Sequence, residues 1–213
     1  MPDAFTLMGI LPGAIRSDED MAKVNKEEAD NAFKFHNKIL GEYLKKKGFY
    51  NYKTNSYIRE NGNGVLEYIN LQKEKYGSRS FTVNCAIISL YVPHKFFCYD
   101  LGKRLGRMIC DQDIWWDYAD ESIARVSFEN VTSAIEEFLL PRLEEFKDDS
   151  KIKEALLKEK HIRESYGGCL SDIQQAWLDV IDDHSGCDEI IKKNVGIFKL
   201  PARLSKNLNL HRS

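Results

Sequence analysis

Between Asp113 and Glu121 the chain places two adjacent tryptophans, Trp115 and Trp116, among carboxylates at Asp113, Asp117, Asp120 and Glu121, with Tyr118 between them. Two neighbouring indoles present a broad, rigid contact area at little entropic cost, which suits a base, a sugar or a partner side chain. In an extended segment adjacent side chains point to opposite sides, so one inward and one outward indole is expected. Asp117, Asp120 and Glu121 form a second candidate group. Acid–base or metal chemistry would require two of them to converge on one cleft with separated proton affinities. Helix-start charge, ion pairs to Arg104, Arg107 or Arg125, and a solvated acidic face account for the same residues without chemistry.

A polar stripe is the next candidate. Asn70 and Gln72 share one face of a predicted strand through its two-residue period, beside Leu66 and Tyr68. Asn84 stands in the following strand, and Arg59 and Glu60 alternate across the preceding one. Strand interiors disfavour Asn, so such a stripe lines a groove or faces solvent. The binding candidates are therefore Trp115, Trp116, Asp117, Tyr118, Asp120, Glu121, Arg59, Asn70 and Gln72.

No reaction is identified by motif. The segment Gly102-Lys103-Arg104-Leu105-Gly106-Arg107 lacks a phosphate-loop pattern and reads equally as a protected basic edge strand. There is no G-x-S-x-G, H-E-x-x-H or dinucleotide fingerprint, and no cysteine stands next to a histidine in sequence. Cys85, Cys98, Cys110, Cys169 and Cys187 and the five histidines are scattered, with no metal-ligand spacing. Catalytic residues, metal ligands and cofactors are accordingly all assigned as none. His36 reads as a packed core histidine and Cys85 as a small buried hydrophobe. An odd cysteine count without C-x-x-C pairs points to reduced thiols and a cytoplasmic location.

The elements that must position these residues follow from periodicity. Asn25 and Glu28 make a helix-start pair, and Ala29, Ala32, Phe33, His36, Ile39, Leu40, Tyr43 and Leu44 recur at helical spacing. Lys45–Lys47 then Gly48 supply a C-terminal stop. Strands are predicted over residues 55–60, 64–72 and 80–90, separated by Asn61-Gly62-Asn63-Gly64 and Tyr76-Gly77-Ser78, with a fourth over residues 101–109. Residues 111–127 read as a loop. From Phe128 an apolar stripe through Val131, Ala134, Ile135, Phe138, Leu139, Leu143 and Phe146 predicts a helix kinked at Pro141. Two more helices are expected over residues 150–164 and 171–184, while residues 197–200 are too short to type. The fold class is α+β: an antiparallel meander of about four strands packed by an N-terminal helix and a helix after the sheet. Residues 1–20 read as a poorly ordered arm, 21–147 as the core domain and 148–213 as a helical extension with a basic tail. The apolar stretch within the arm lacks the basic start of a signal peptide, and Met21 is an alternative start.

The strings KKKGFY, YIRENGNGVLEYINLQKEKYGSRSFTVN, LGKRLGRMICDQDIWWDYADE and SFENVTSAIEEFLLPRLEEF, in that order, carry a resemblance. Over residues 39–146 the chain resembles the bacterial domain-of-unknown-function family 4304. The resemblance implies one α+β domain in a soluble bacterial protein. It implies no activity.

The formal net charge of −2 conceals uneven segments, with residues 111–149 at −9 and residues 190–213 at +6. The balanced total excludes a uniformly basic nucleic-acid coat, and no apolar run approaches the roughly 18 residues a membrane helix needs. The basic tail has no RNP-like or helix-turn-helix companion, so nucleic-acid binding through it is a minor alternative. An acidic aromatic loop facing a basic surface fits protein–protein contact. The leading expectation is a non-catalytic interaction module, of which immunity-type neutralisation of a toxin is one example by analogy. A hydrolytic or metal-assisted enzyme using the same carboxylates is the alternative. Oligomeric state is left open.

Overall fold

A computed structural model of the protein describes residues 26–202 and residue 204. The predicted N-terminal arm, Asn25 and the basic tail beyond Leu204 lie outside the described residues. The order of elements is α1 (Lys26–Lys46), β1 (Tyr50–Lys53), β2 (Ser56–Glu60), β3 (Val65–Lys73), β4 (Ser80–Ser89), β5 (Leu101–Arg104), α2 (Leu105–Ile109) and β6 (Trp116–Asp117). Then come α3 (Glu121–Ala134), a π-helical turn (Ile135–Leu139), α4 (Leu140–Glu145), α5 (Asp149–Ser165), α6 (Asp172–Val180) and α7 (Asp188–Phe198). The fold is α+β, with an antiparallel meander in the order β1-β2-β3-β4-β5 and β6 added to β4.

α1 ends as its sequence dictates. The Phe49 amide donates to the Leu44 carbonyl and the Gly48 amide to that of Lys45, with Gly48 at φ 88°. That is a Schellman stop, which needs a residue free to take positive φ. The hairpin between β2 and β3 is tied by Glu60, whose carboxylate accepts from the amides of Gly62 (2.9 Å) and Gly64 (2.8 Å). Glu74 does the same in the next hairpin, accepting from the amides of Tyr76 and Ser78.

Four expectations need correction. The sheet has an extra first strand, β1, which starts at Tyr50, two residues after Gly48. The predicted fourth strand stops at Arg104 and the chain turns into α2, where Gly106 sits 2.4 Å, measured from an added Cβ, from the Ile114 backbone. Only glycine permits that approach, and local sequence periodicity does not register it. Residues 111–127 are not all loop: Trp116-Asp117 pairs with β4, and α3 already starts at Glu121 because Asp120 caps it, accepting from the Ile123 amide at 2.9 Å. The segment read as too short to type ends an eleven-residue helix, α7, which closes at Lys199 in the left-handed region before Pro201. The kink predicted at Pro141 takes the form of the π-helical turn just before it, which absorbs the missing N–H.

The chain divides into two compact units. The first holds the described residues through Tyr57, Ile69–Cys85 and Lys103–Pro141. Its core centres on Phe33 of α1, whose ring lies 5.3 Å from Phe81, 5.0 Å from Tyr118 and 5.4 Å from Phe128, each edge-on. Burying a side chain of this size contributes roughly 1.5–3 kcal/mol. The second holds Ile58–Tyr68, Ala86–Gly102 and the described residues from Arg142. Within it the Asn194 side chain, fully buried, donates to the carbonyls of Leu90 (2.9 Å) and Val92 (2.7 Å) and accepts from the His94 amide (3.1 Å). Gln174 donates to the Asp100 carbonyl at 2.7 Å. The two helices α6 and α7 thus fix both ends of the segment 90–100.

Gly64 has φ +67°, and a Cβ there would stand 2.8 Å from the Tyr91 ring. The expected outcome for Gly64→Ala is a loss of about 1–3 kcal/mol from combined backbone strain and overpacking. Urea unfolding midpoints of the variant and wild type check it; an unchanged midpoint contradicts this account.

Candidate functional site

In the first unit the Trp–acid stretch is held by two pairings, Ser80 with Asp117 and Phe81 with Trp116, and by the Tyr118 amide donating to the Arg79 carbonyl at 2.7 Å. That register turns the two indoles apart. Trp116 is 5% exposed and packs toward Phe81, while Trp115 is 39% exposed with the Arg104 guanidinium 5.4 Å from its ring centre. Trp116 therefore acts as core, its buried Nε1 without a hydrogen-bond partner among the described residues. Tyr118 is also buried, against Phe33. The Lys73 ammonium lies 4.1 Å from the Phe33 ring centre and 4.7 Å from that of Tyr118, and bonds Asp30 at 2.7 Å.

The carboxylates take different partners. Asp113 is bound by Arg104 (2.5 Å) and Arg107 (2.6 Å), which hold it below the usual carboxylate range. Asp120 is the cap of α3, and its Oδ1 also accepts from the Ser122 hydroxyl. Asp117 is half-buried in β6. Glu121 reaches α1, where its Oε1 lies 2.7 Å from His36 Nε2. His36 is buried as expected, stacked on Phe128, but the carboxylate partner was not foreseen.

Glu121 also lines an open hollow of about 470 Å³ with Glu27, Glu28, Asn31, Ala32 and Phe35. Phe35 is 57% exposed and Ile39, one turn further along α1, is 52% exposed. Three carboxylates thus edge an apolar strip. Helical spacing in the sequence carries the signal for Phe35 and Ile39, but the buried stripe beside them draws attention first.

The amide stripe forms a ladder in the first unit. Asn70 donates to the Ser56 hydroxyl (3.0 Å), and Asn84 donates to Asn70 (3.3 Å) and to Gln72 (3.0 Å). Asn70 and Gln72 are engaged with neighbouring strands. Arg59 belongs to the second unit, where it pairs with the buried Glu67, whose carboxyl burial pushes upward against the lowering effect of Arg59.

The second unit contains a cluster that sequence reading passed over. His94, Cys98 and Asp100 each offer one donor atom within 4.8 Å of the others. Cys98 Sγ is 3.5 Å from His94 Nδ1; on the opposite side of the ring Nε2 is 2.9 Å from the Ser89 carbonyl and 3.5 Å from Asp100 Oδ2. Asp100 Oδ2 accepts from the Ser89 amide at 2.7 Å, whereas its buried Oδ1 accepts nothing among the described residues. Burial raises the Asp100 carboxyl to about 7, partly offset by the Ser89 amide, and lowers His94. Burial, then the Asp100 charge, raises the Cys98 thiol. The spacing His-x-x-x-Cys-x-Asp is visible in the sequence but matches no ligand or catalytic pattern there.

Residues 40–145 match the family described as Domain of unknown function (DUF4304). No curated protein and no solved structure matches the chain. The matched stretch contains the Trp–acid segment, the hollow's Glu121 and the His94 cluster, but not α5–α7. No helix among the described residues is long and apolar enough to cross a membrane.

The hydrogen bond from Lys73 is the main cause that holds the Asp30 carboxyl below its ordinary value. A depressed carboxylate stabilises the fold above its unfolded pKa of about 4, and that contribution is lost as pH falls through the lower folded value. Lys73→Met is expected to lose up to about 1 kcal/mol at neutral pH and to show a shallower decline in acid, since the pair is part-exposed. Urea titrations at neutral and acid pH measure it; parallel curves for variant and wild type refute it.

Proposed function

We propose that the protein is an interaction module that docks a segment of a partner protein bearing Lys or Arg beside an apolar side chain. The observation that carries this reading is the hollow on α1, where Glu27, Glu28 and Glu121 surround exposed Phe35. Like charges gathered beside a large exposed apolar group have complementary partners of opposite sign, and aromatic anchors supply much of the binding energy at such contacts. Glu121 is the member of the Trp–acid stretch that enters the hollow, and Trp115 offers a further exposed aromatic surface.

Binding is favoured over carboxylate chemistry here because the acids do not share one cleft role: Asp113 takes two arginines, Asp120 caps a helix, and Glu121 takes His36. The free state of all five cysteines supports a reducing cytoplasm, in a bacterium by the family resemblance. Toxin neutralisation fits this class of function, as does any other contact with a basic, apolar protein segment.

Fluorescence anisotropy with a Lys/Phe-rich peptide, and with its Glu/Phe counterpart, tests the proposal. The basic peptide is expected to bind and the acidic one not. Phe35→Ser and the Glu27→Lys, Glu28→Lys pair should each weaken binding about tenfold, equivalent to about 1.4 kcal/mol. Added salt should weaken the wild-type complex. Equal retention of both peptides, or undiminished binding by the charge-reversed chain, overturns the reading.

A further inference from the structure

The second unit's cluster is chemically distinct from the hollow and independent of the docking reading. Its geometry fixes the proton positions. The Ser89 carbonyl can only accept, so the imidazole proton of His94 sits on Nε2, 2.9 Å from that oxygen. Nδ1 then carries the lone pair, and the group in front of it, at 3.5 Å, is the Cys98 thiol. Asp100 Oδ2 is 3.5 Å from Nε2 and accepts from the Ser89 amide, so it holds the ring through Ser89. The thiol thus faces the free ring nitrogen while Ser89 and Asp100 hold the other side of the ring, which is how a sulfur nucleophile is served by a base.

The supports are unusually complete. Asn194 holds the His94 amide, Gln174 the Asp100 carbonyl and the Ser89 amide one carboxylate oxygen. His94 and Asp100 have no exposed side-chain surface, whereas Cys98 is only half-buried. The remaining Asp100 oxygen, Oδ1, is buried and unpartnered among the described residues. Phe97 and Tyr99 flank Cys98 in sequence and meet Tyr68 at ring separations of 5.0 and 5.2 Å, giving an aromatic surround.

We propose that Cys98 is a nucleophile toward small activated acyl compounds, with His94 as its base and Asp100 as the residue that positions His94. In the step, the Cys98 S–H proton passes to His94 Nδ1 as sulfur bonds to the acyl carbon. The bond from that carbon to the leaving group then breaks, and the leaving group departs with the bonding pair. His94 returns the proton to it, and the product is a thioester on Cys98. No oxidant or further reactant is required. A metal ion is a poorer occupant, because Cys98 and Asp100 approach opposite nitrogens of the ring.

The full-length reduced chain, treated with p-nitrophenyl acetate, reads the proposal out. Release of p-nitrophenolate should match one acetyl group per chain, located on Cys98 by peptide mass spectrometry ahead of the exposed Cys169. Cys98→Ser should abolish that label, and His94→Gln should slow it at least about tenfold, the usual scale of base assistance. Asp100→Asn keeps the shape of the side chain; a positioning role shifts the pH at which acetylation reaches half its limiting rate, whereas a structural role leaves that pH unchanged. Faster labelling of Cys169 than of Cys98, or a wild-type rate in His94→Gln, overturns the proposal. So does an unlabelled Cys98 in a chain that retains one equivalent of added Zn²⁺.

Discussion

Strand β4 has every residue buried except Asn84, so its backbone N–H and C=O groups have no access to water and must all be paired within the protein. β3 pairs with it in the meander, and β5 and the two-residue β6 also pair with it. That requirement explains why Trp116-Asp117 is a strand at all. It also decides the fate of the tryptophan pair, because once Trp116 is opposite Phe81 its indole belongs to the core and Trp115 must turn outward. At its other end the strand delivers Ser89, whose amide and carbonyl hold Asp100 and His94. One buried strand thus underlies both the aromatic loop and the thiol cluster, each within its own unit.

The helices that follow residue 147 have a role in the second unit that their sequence does not announce. α6 contributes Gln174 and α7 contributes Asn194, two buried amides whose NH2 groups donate to carbonyls of the segment between Leu90 and Asp100. Buried amides that find every partner rigidify what they touch, and an irregular segment needs such partners because it has no ladder of its own. The family-matched stretch ends at residue 145, so two of the groups that support its His94 cluster, Gln174 and Asn194, come from beyond it.

Elements with strong local chemistry were legible in advance. α1, with its apolar period and glycine stop, emerges within a residue or two, as do the hairpins built on Asn61-Gly62 and Tyr76-Gly77. The misses have one cause. α2, β6 and α7 are short or weakly patterned elements whose conformations are set by what lies beside them: Ile114 against Gly106, β4 beside Trp116, and the Leu90–Val92 carbonyls facing Asn194. The early start of α3 is different, since the Asp120 cap was available in the sequence, and helix-start charge was the right account of it.

The same division separates the candidate residues. Residue type and order alone determined the helix stops, the turns, the acidic concentration around the tryptophans and the α+β class, because each depends on φ preference, side-chain period or charge within a few residues. Tertiary structure decided which tryptophan is buried, that Glu121 meets His36, that Asn70, Gln72 and Asn84 satisfy one another, and that Arg59 pairs with Glu67. It also brought donor atoms of His94, Cys98 and Asp100 within 4.8 Å of one another. An irregular segment has no period to follow, so its conformation is set by packing and hydrogen bonds from other elements, here Ser89 at the end of β4 and the distant Gln174 and Asn194.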